Sequence, residues 1–452
     1  MAANGDVTDC DVVVLGLGPG GEHAATKLAQ AGLQVVAVDQ RLVGGECPYF
    51  GCVPSKMMIR AADALGEARR VRDLAGAAEV RPDFAPVARR IRDEATDDWD
   101  DTVAVERLEG AGVRFVRGTG RLVGPGRVRV GDTDYAARRG VVLNTGTEPA
   151  VPPIDGLADT PYWTNRDAVR VTDLPATLAV IGGGAIGAEL TQVFSRFGVE
   201  VTLLEVADRL LAPEEPEASA AIEKAFAGEG IRVVTGAQIH RVSHDSGTFT
   251  VDLGDEQVKV DKLLIAAGRR NNLADIGLDT VGLDPSAEVI DTDERMRAGE
   301  RLWAVGDITG KGAFTHVSMY QAAVAVRDLL GEDGPWADYR AVSRVTFTDP
   351  EVGSVGMTEK QAQDAGLDVA TGSADLGARG WIAEAAGLVK LVADAGRGVL
   401  VGATAVGPSG GEILSMLATA VHAEVPVDTL KGMHFAYPTY HRAVETALGD
   451  LS

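Results

Sequence analysis

The sequence predicts an α/β protein built from two Rossmann-like domains and a C-terminal α+β domain. Three observations predict it. A unit of strand, glycine turn, helix, strand and acid occurs twice in the same order. The run Gly44 to Lys56, GGECPYFGCVPSK, holds two of only three cysteines in the chain. From about Val345 the pattern changes to short strands followed by one helix.

In the first copy, Val12–Leu15 reads as a buried strand running into Gly16, Gly18 and Gly21, then an Ala-rich helix through about Ala31. A second strand, Val35–Val38, ends in Asp39. In the second copy, Leu178–Ile181 runs into Gly182, Gly184 and Gly187, then a helix to about Phe197, then a strand Val201–Leu204 ending in Glu205. The acid stands 18 residues after the last glycine in both, Gly21 to Asp39 and Gly187 to Glu205. This is the dinucleotide fingerprint in its βαβ setting: the first glycine makes the tight turn, the second lets backbone approach a pyrophosphate, and the third lets helix pack on strand. The helix N-terminus favours the phosphate charge, and the acid accepts from ribose hydroxyls. Two fingerprints imply two dinucleotides, read as FAD and a nicotinamide. Glu205 repels a 2′-phosphate and so favours NADH over NADPH, while Arg209, four residues on, dilutes that preference.

The remaining elements follow. The stretch from about Ala61 to Leu108, rich in Ala, Arg, Asp and Glu, reads as helical with a solvated charged face. Arg114–Val130 and Ile231–Val260 alternate and carry glycine turns, so both read as antiparallel strands. VTFTD, LVKLVAD and LVGATAV read as short strands, followed by a helix from Gly411 to about Ala423 and a tail.

At 452 residues the chain suits two or three domains. Its formal charge of −23 argues against a nucleic acid or an anionic membrane as partner. No apolar run approaches a membrane span, and MAANGDVTDC lacks the basic and apolar regions of an export signal, so a cytoplasmic location is expected. In a reducing compartment a close cysteine pair is catalytic, redox-sensing or metal-binding. Cys47 and Cys52 lack a second close Cys/His pair with finger-like spacing, so no metal site is expected. One turn at the start of a helix can close such a pair into a disulfide, and a helix N-terminus stabilises the reactive thiolate. Cys10, ahead of the first strand, reads as structural.

The cysteine run and the two fingerprints resemble the pyridine nucleotide-disulfide oxidoreductases, flavoproteins that include dihydrolipoamide dehydrogenase, glutathione reductase and mercuric reductase. The resemblance covers nearly the whole chain. It extends to Asn144-Thr145-Gly146, Ala266-Ala-Gly268-Arg269, Trp303-Ala-Val-Gly-Asp307 and Thr346-Phe-Thr-Asp-Pro-Glu-Val-Gly-Ser-Val-Gly356. It implies an FAD domain over 1–150 and 270–340, an NAD(P)H domain over 151–269, and a homodimerisation domain over 341–452. It also implies cofactor contacts at Thr145, Gly146, Gly268 and Arg269, and at Asp307 near the flavin ribityl-phosphate. Gly44, Gly45 and Gly51 would let backbone pass close to a flat flavin. Cys52 would be the sulfur nearer the flavin and Cys47 the interchange thiol, with electrons passing from NADH through FAD and the Cys47–Cys52 disulfide to a disulfide substrate, a small molecule or small protein. Lys56 would lie beside the flavin, paired with Glu189.

The tail departs from the family. Disulfide-reducing members carry His-Pro-Thr followed by a glutamate, and the histidine crosses to the partner subunit's cysteines as acid–base catalyst. Here Tyr437 precedes Pro438-Thr439, and Arg442 stands in the glutamate's place. A tyrosine near pKa 10 is a poor base at neutral pH. His441 and Glu445 are four residues apart, so a displaced His–Glu dyad is a candidate; a surface helix pair is the alternative. Three functions follow from this: a dihydrolipoamide dehydrogenase-like disulfide reductase, a quinone or dye reductase with direct transfer from the flavin, and mercuric-reductase-like metal reduction. Docking on a larger dehydrogenase complex is a further expectation.

Overall fold

The computed structural model describes residues 7–452; the first six residues of the segment read for an export signal lie outside it. The chain divides into two compact units. The first comprises the described residues through Pro54, Arg89–Pro149 and Arg269–Asp338, and the second comprises Ser55–Ala88, Ala150–Gly268 and Tyr339–Ser452.

The first unit is organised by a sheet whose centre is Val7–Leu15, flanked in parallel by Thr133–Leu143 and Val35–Asp39. Val12, Val13 and Val14 are fully buried because both faces are covered, which gives the unbroken Val run expected of a parallel strand. Helices Pro19–Gln30 and Thr315–Leu330 cover one face, with Leu28, Ala322 and Ala325 in the shared core. Arg114–Arg117 pairs in parallel with Val35–Asp39, so it extends the main sheet and does not begin an antiparallel meander. The helix Thr102–Gly110 supplies the crossover that a parallel partner needs. Four-residue runs read alike in either direction, which is why the alternation did not reveal this. Gly120–Gly124 and Arg127–Val130 form the expected antiparallel hairpin.

In the second unit, Thr177–Ile181 lies between Glu200–Leu204 and Lys262–Ile265 in a four-stranded parallel sheet. Arg232–Val234 joins that sheet in parallel, and only Arg241–Val260 forms the antiparallel meander. The C-terminal part is a five-stranded antiparallel sheet, in which Glu351–Gly356 and Val369–Asp375 accompany the three strands read from sequence. Helix Gly410–His422 buries Ile413, Leu414 and Leu417 against it.

The stretch 61–108 is helical with two interruptions, since Cys52–Leu74, Ala85–Arg90, the π turn Ile91–Ala95 and Thr102–Gly110 are separate. Residues 55–88 cluster with the second unit. Their side chains explain it: Asp63 meets Arg196 at 2.8 Å, Arg70 meets Asp349 at 2.9 Å, and the Phe84 ring packs edge-on to Phe197 at 5.1 Å. Among the described residues no helix is long and apolar enough to cross a membrane, and no group of three metal-ligating side chains forms.

Candidate active site

The two glycine turns are built alike. A Cβ on Gly16 would lie 2.2 Å from Asn144 O, and one on Gly21 would lie 1.9 Å from Gly16 O. The matching distances in the second turn are 2.4 Å from Gly182 to Ala266 O and 1.8 Å from Gly187 to Gly182 O. Packing alone therefore requires the first and third glycines. The middle ones differ: a Cβ on Gly18 would meet only Asn144 Oδ1 at 3.4 Å, and one on Gly184 would meet nothing within 4 Å. Open space above a helix N-terminus is what a pyrophosphate needs. Gly146 and Gly268, at positive φ, also face open space.

Both acids brace their turns. Asp39 Oδ2 accepts from Leu17 N at 2.6 Å and Oδ1 from Arg41 N at 2.7 Å. Glu205 Oε2 accepts from Gly183 N at 2.5 Å and Oε1 from Ala207 N at 2.7 Å. Burial raises the Asp39 carboxyl above its usual range against these bonds. The buried Thr145 hydroxyl has no hydrogen-bond partner among the described residues, an orphan that a ligand would satisfy. The open middle glycines and this orphan fit two dinucleotides.

Asn144 ties the first turn together. Its Oδ1 accepts from Gly21 N at 2.7 Å and its Nδ2 donates to Val305 O at 3.0 Å. Asp307 Oδ2 accepts from Thr147 Oγ1 at 2.7 Å, which in turn accepts from Arg269 Nε at 2.6 Å. Arg269 then pairs with Glu46 at 3.3 Å, beside Cys47. Spacing gave no warning of Glu46 or Thr147; Asn144 was singled out only within the Asn144-Thr145-Gly146 stretch that carries the family resemblance.

The cysteine segment is seated on the first turn. A Cβ on Gly45 would lie 2.8 Å from Gly18 Cα, and one on Gly44 would lie 2.8 Å from Pro48 Cγ. Both residues have positive φ, so glycine is needed on two counts. Cys47, half-buried, lies in the short helix Glu46–Tyr49. Cys52, exposed, is the first residue of helix Cys52–Leu74, and its Sγ is 3.5 Å from Thr315 Oγ1. Cys10 is buried, which pushes its thiol up to about 11.

In the second unit Lys56 Nζ reaches Glu189 Oε2 at 2.7 Å. Glu189 is 4% exposed, and its other oxygen accepts from Phe347 N at 2.9 Å. The Lys56 ammonium lies 4.8 Å from the Phe347 ring centroid. Arg209 donates to Ala212 O at 2.5 Å and Glu214 O at 3.0 Å, so its guanidinium is turned to backbone. In the tail, Tyr437 is 71% exposed, with the Arg442 guanidinium 5.8 Å from its ring. His441 immediately precedes helix Arg442–Gly449, without a side-chain capping hydrogen bond, and lines a cavity of about 310 Å³ with Arg379, Glu412 and Pro438. The proposed dyad is not formed: Glu445 pairs with Arg442 at 2.8 Å, and no hydrogen bond joins it to His441 among the described residues.

Residues 10–327 match the pyridine nucleotide-disulphide oxidoreductase family, and residues 342–448 match the dimerisation domain of the same name. The chain is 34% identical to a mercuric reductase of Streptomyces lividans, over 97% of this chain and 96% of the relative. It is 31% identical to a dihydrolipoyl dehydrogenase of Halobacterium salinarum, over 98% of each. The crystal structure of LpdA from Mycobacterium tuberculosis superposes with a TM-score of 0.86 at 26% identity, covering 98% of this chain and 99% of that one. The HOCl-induced flavoprotein disulfide reductase RclA of Escherichia coli, as its Cu(II) complex, superposes with a TM-score of 0.84 at 25% identity, over 98% and 99%. The chain belongs to the pyridine nucleotide-disulphide oxidoreductase family. It is an FAD-dependent oxidoreductase that uses a pyridine nucleotide, and it carries the family's dimerisation domain.

Proposed function

We propose that the chain is an NADH-driven disulfide reductase whose electrons leave through Cys47 and Cys52. The observation that carries the reading is the seating of the cysteine segment, with Gly45 against Gly18 and Cys52 opening a long helix. The turn of Gly16, Gly18 and Gly21 with Asp39 would hold FAD, and that of Gly182, Gly184 and Gly187 with Glu205 the nicotinamide coenzyme; the flavin would supply two-electron transfer between nicotinamide and sulfur. A disulfide takes up two electrons and two protons to become two thiols, so one NADH and one solvent proton reduce one disulfide. Cys52 holds its sulfur at the positive end of helix Cys52–Leu74, which favours thiolate. Thr315 Oγ1, at 3.5 Å, is within reach to donate to it. Cys47 is the interchange sulfur that attacks the acceptor. Glu189 fixes the Lys56 ammonium, whose positive charge favours electron arrival at the flavin.

Glu205 supports NADH over NADPH, and the hydrogen bonds of Arg209 to Ala212 O and Glu214 O turn toward backbone the guanidinium that would offset it. A lipoamide-like disulfide is the default acceptor, the enzyme acting as a homodimer in a reducing compartment such as the cytoplasm. Docking on a larger dehydrogenase complex is tested by co-purification.

A second reading is favoured by Tyr437, exposed where the family's catalytic histidine belongs. In it a quinone or dye takes electrons directly from the flavin. Mercuric-reductase-like metal reduction is the weaker third reading, because the sequence holds no cysteine pair besides Cys47 and Cys52.

The test is an anaerobic NADH titration followed by absorbance, repeated with NADPH and with Cys52→Ser. A long-wavelength band that needs Cys52, formed while the flavin stays oxidised, supports the disulfide route. Simple bleaching that is identical in the variant overturns it and makes quinones the acceptors to screen.

A further inference from the structure

We propose that Trp99 and Asp101 are positioning residues for Cys47, a proposal that rests on the redox-pair reading above. The segment carrying Cys47 has little stiffness of its own. Gly44 and Gly45 lead into it, and the helix Glu46–Tyr49 has four residues, far below the roughly 12–15 that an isolated helix needs. It is held from both ends by one turn. Val43 N donates to Asp101 Oδ2 at 2.7 Å, and Trp99 Nε1 donates to Tyr49 O at 3.0 Å. Cys47 lies between these two anchors.

The turn that delivers them is strained. Asp97, Asp98 and Trp99 have φ of 47°, 55° and 59°, three consecutive non-glycine residues in the left-handed region, separated only by Thr96 from the π turn Ile91–Ala95. Such backbone persists only where its surroundings over-determine it, and both features concentrate at functional sites. Here Thr96 Oγ1, buried, donates to Ile91 O at 3.0 Å and accepts from Trp99 N at 3.4 Å, while Asp98 N donates to Arg92 O at 2.7 Å. Arg117 pairs with Asp101 at 2.5 Å. A mere connector between helices needs neither a left-handed tryptophan nor a buried aspartate. Both are accounted for if the turn exists to fix the two ends of the cysteine segment.

The test is iodoacetamide labelling of Cys47 in NADH-reduced protein, read by peptide mass spectrometry, with turnover on a small disulfide measured alongside. Trp99→Phe keeps the aromatic packing and deletes the N–H. It is expected to label Cys47 at least about three-fold faster and to lower kcat for the disulfide several-fold. KM for NADH and the rate of NADH-driven flavin bleaching are expected to stay at wild-type values. Asp101→Asn repeats the test at the Val43 anchor, and Asp98→Gly, which accommodates the left-handed backbone, is expected to label like wild type. Wild-type labelling and kcat in both Trp99→Phe and Asp101→Asn, whatever happens to Tm, mark a purely structural turn and overturn the proposal. If wild-type protein shows no NADH-dependent labelling at Cys47 or Cys52, the redox-pair reading itself fails and takes this proposal with it.

Discussion

Arg196 and Asp63 meet at 2.8 Å, and the pair repeats, with charges exchanged, the one that Glu189 and Lys56 make at 2.7 Å seven residues earlier on both helices. Two such contacts at equal spacing mean that Cys52–Leu74 and Ala185–Arg196 run side by side in the same direction for about two turns. The exchange of sign fixes the register. Sliding either helix by seven residues would set Lys56 against Arg196 or Asp63 against Glu189, like against like. The alignment that gives Lys56 its partner is thus specified at two points.

At the second point the cation is the buried partner, where at the first it is the carboxylate, and removing that cation is predicted to be severe. Arg196 is 2% exposed, and it also bonds Glu229 at 2.7 Å and Asp349 at 2.6 Å. Arg196→Met leaves three carboxylates around an apolar side chain. Breaking a buried pair from one side typically loses about 3–5 kcal/mol. Thermal unfolding should show a Tm drop of many degrees, and a loss below about 1 kcal/mol would mean that water replaces the guanidinium at little cost.

Asp63 is predicted to give that cluster a pH dependence. Burial pushes its carboxyl up to about 6; Arg196 opposes the shift and Asp349 adds to it. A carboxyl whose folded pKa is raised stabilises the fold most below its unfolded value near 4, and that contribution is lost as pH rises through about 6. Asp63→Asn removes the titration. Its Tm relative to wild type should therefore climb between pH 4 and 7. A difference that falls over that range would show that the ionised pair with Arg196 outweighs the burial of the carboxylate.

How far the sequence carried these readings depended on how local each signal was. The glycine turns, Asp39 and Glu205 are local, and the structure finds each on the element expected of it; of the cysteine pair, Cys52 opens a long helix as expected, while Cys47 lies in the separate short helix Glu46–Tyr49. Lys56 and Glu189 lie 133 residues apart and were paired only through the family resemblance. Arg196, buried at a helix end that reads as ordinary surface, had no sequence signal, because its burial comes from Asp63, Glu229 and Asp349 brought in from three separate segments. The edge strands Arg114–Arg117 and Arg232–Val234 were placed in meanders because strand direction is set by the crossover and not by the strand's own residues. The His441–Glu445 dyad rested on i, i+4 spacing, but Arg442, one position closer to Glu445, takes its carboxylate.

With Glu445 on Arg442, the tail has no oriented imidazole, and Tyr437→His is predicted to supply one. The side chain at 437 is exposed at the position where the family places its acid–base group. General acid–base catalysis contributes about 10²–10⁴-fold, and a group near pKa 6.5 exchanges protons at neutral pH where a tyrosine does not. If disulfide reduction is the reaction and proton transfer limits it, Tyr437→His should raise kcat on a small disulfide at pH 7 by about ten-fold or more. It should also introduce a pH inflection near 6–7. Unchanged turnover combined with full quinone reductase activity would favour direct transfer from the flavin.

Coenzyme choice is predicted to turn on Glu205, and the geometry separates its two roles. The carboxylate braces the second glycine turn through Gly183 N and Ala207 N, and on the proposed reading its charge would oppose a 2′-phosphate. Glu205→Gln keeps one of the two acceptor oxygens but removes the charge; Glu205→Ala removes both oxygens and the charge. If charge decides, kcat/KM for NADPH should rise about ten-fold relative to NADH in Glu205→Gln, since repulsion between two charges about 4 Å apart is worth on the order of 1 kcal/mol or more. If bracing decides, both variants should lose activity with both coenzymes in parallel, Glu205→Gln less than Glu205→Ala, with the NADH/NADPH ratio unchanged. Arg209 supplies the control. Because it is turned to Ala212 O and Glu214 O, Arg209→Met should leave the NADH/NADPH ratio of the wild-type enzyme unchanged, and a shift toward NADH in that variant would show that the guanidinium leaves those carbonyls when coenzyme binds.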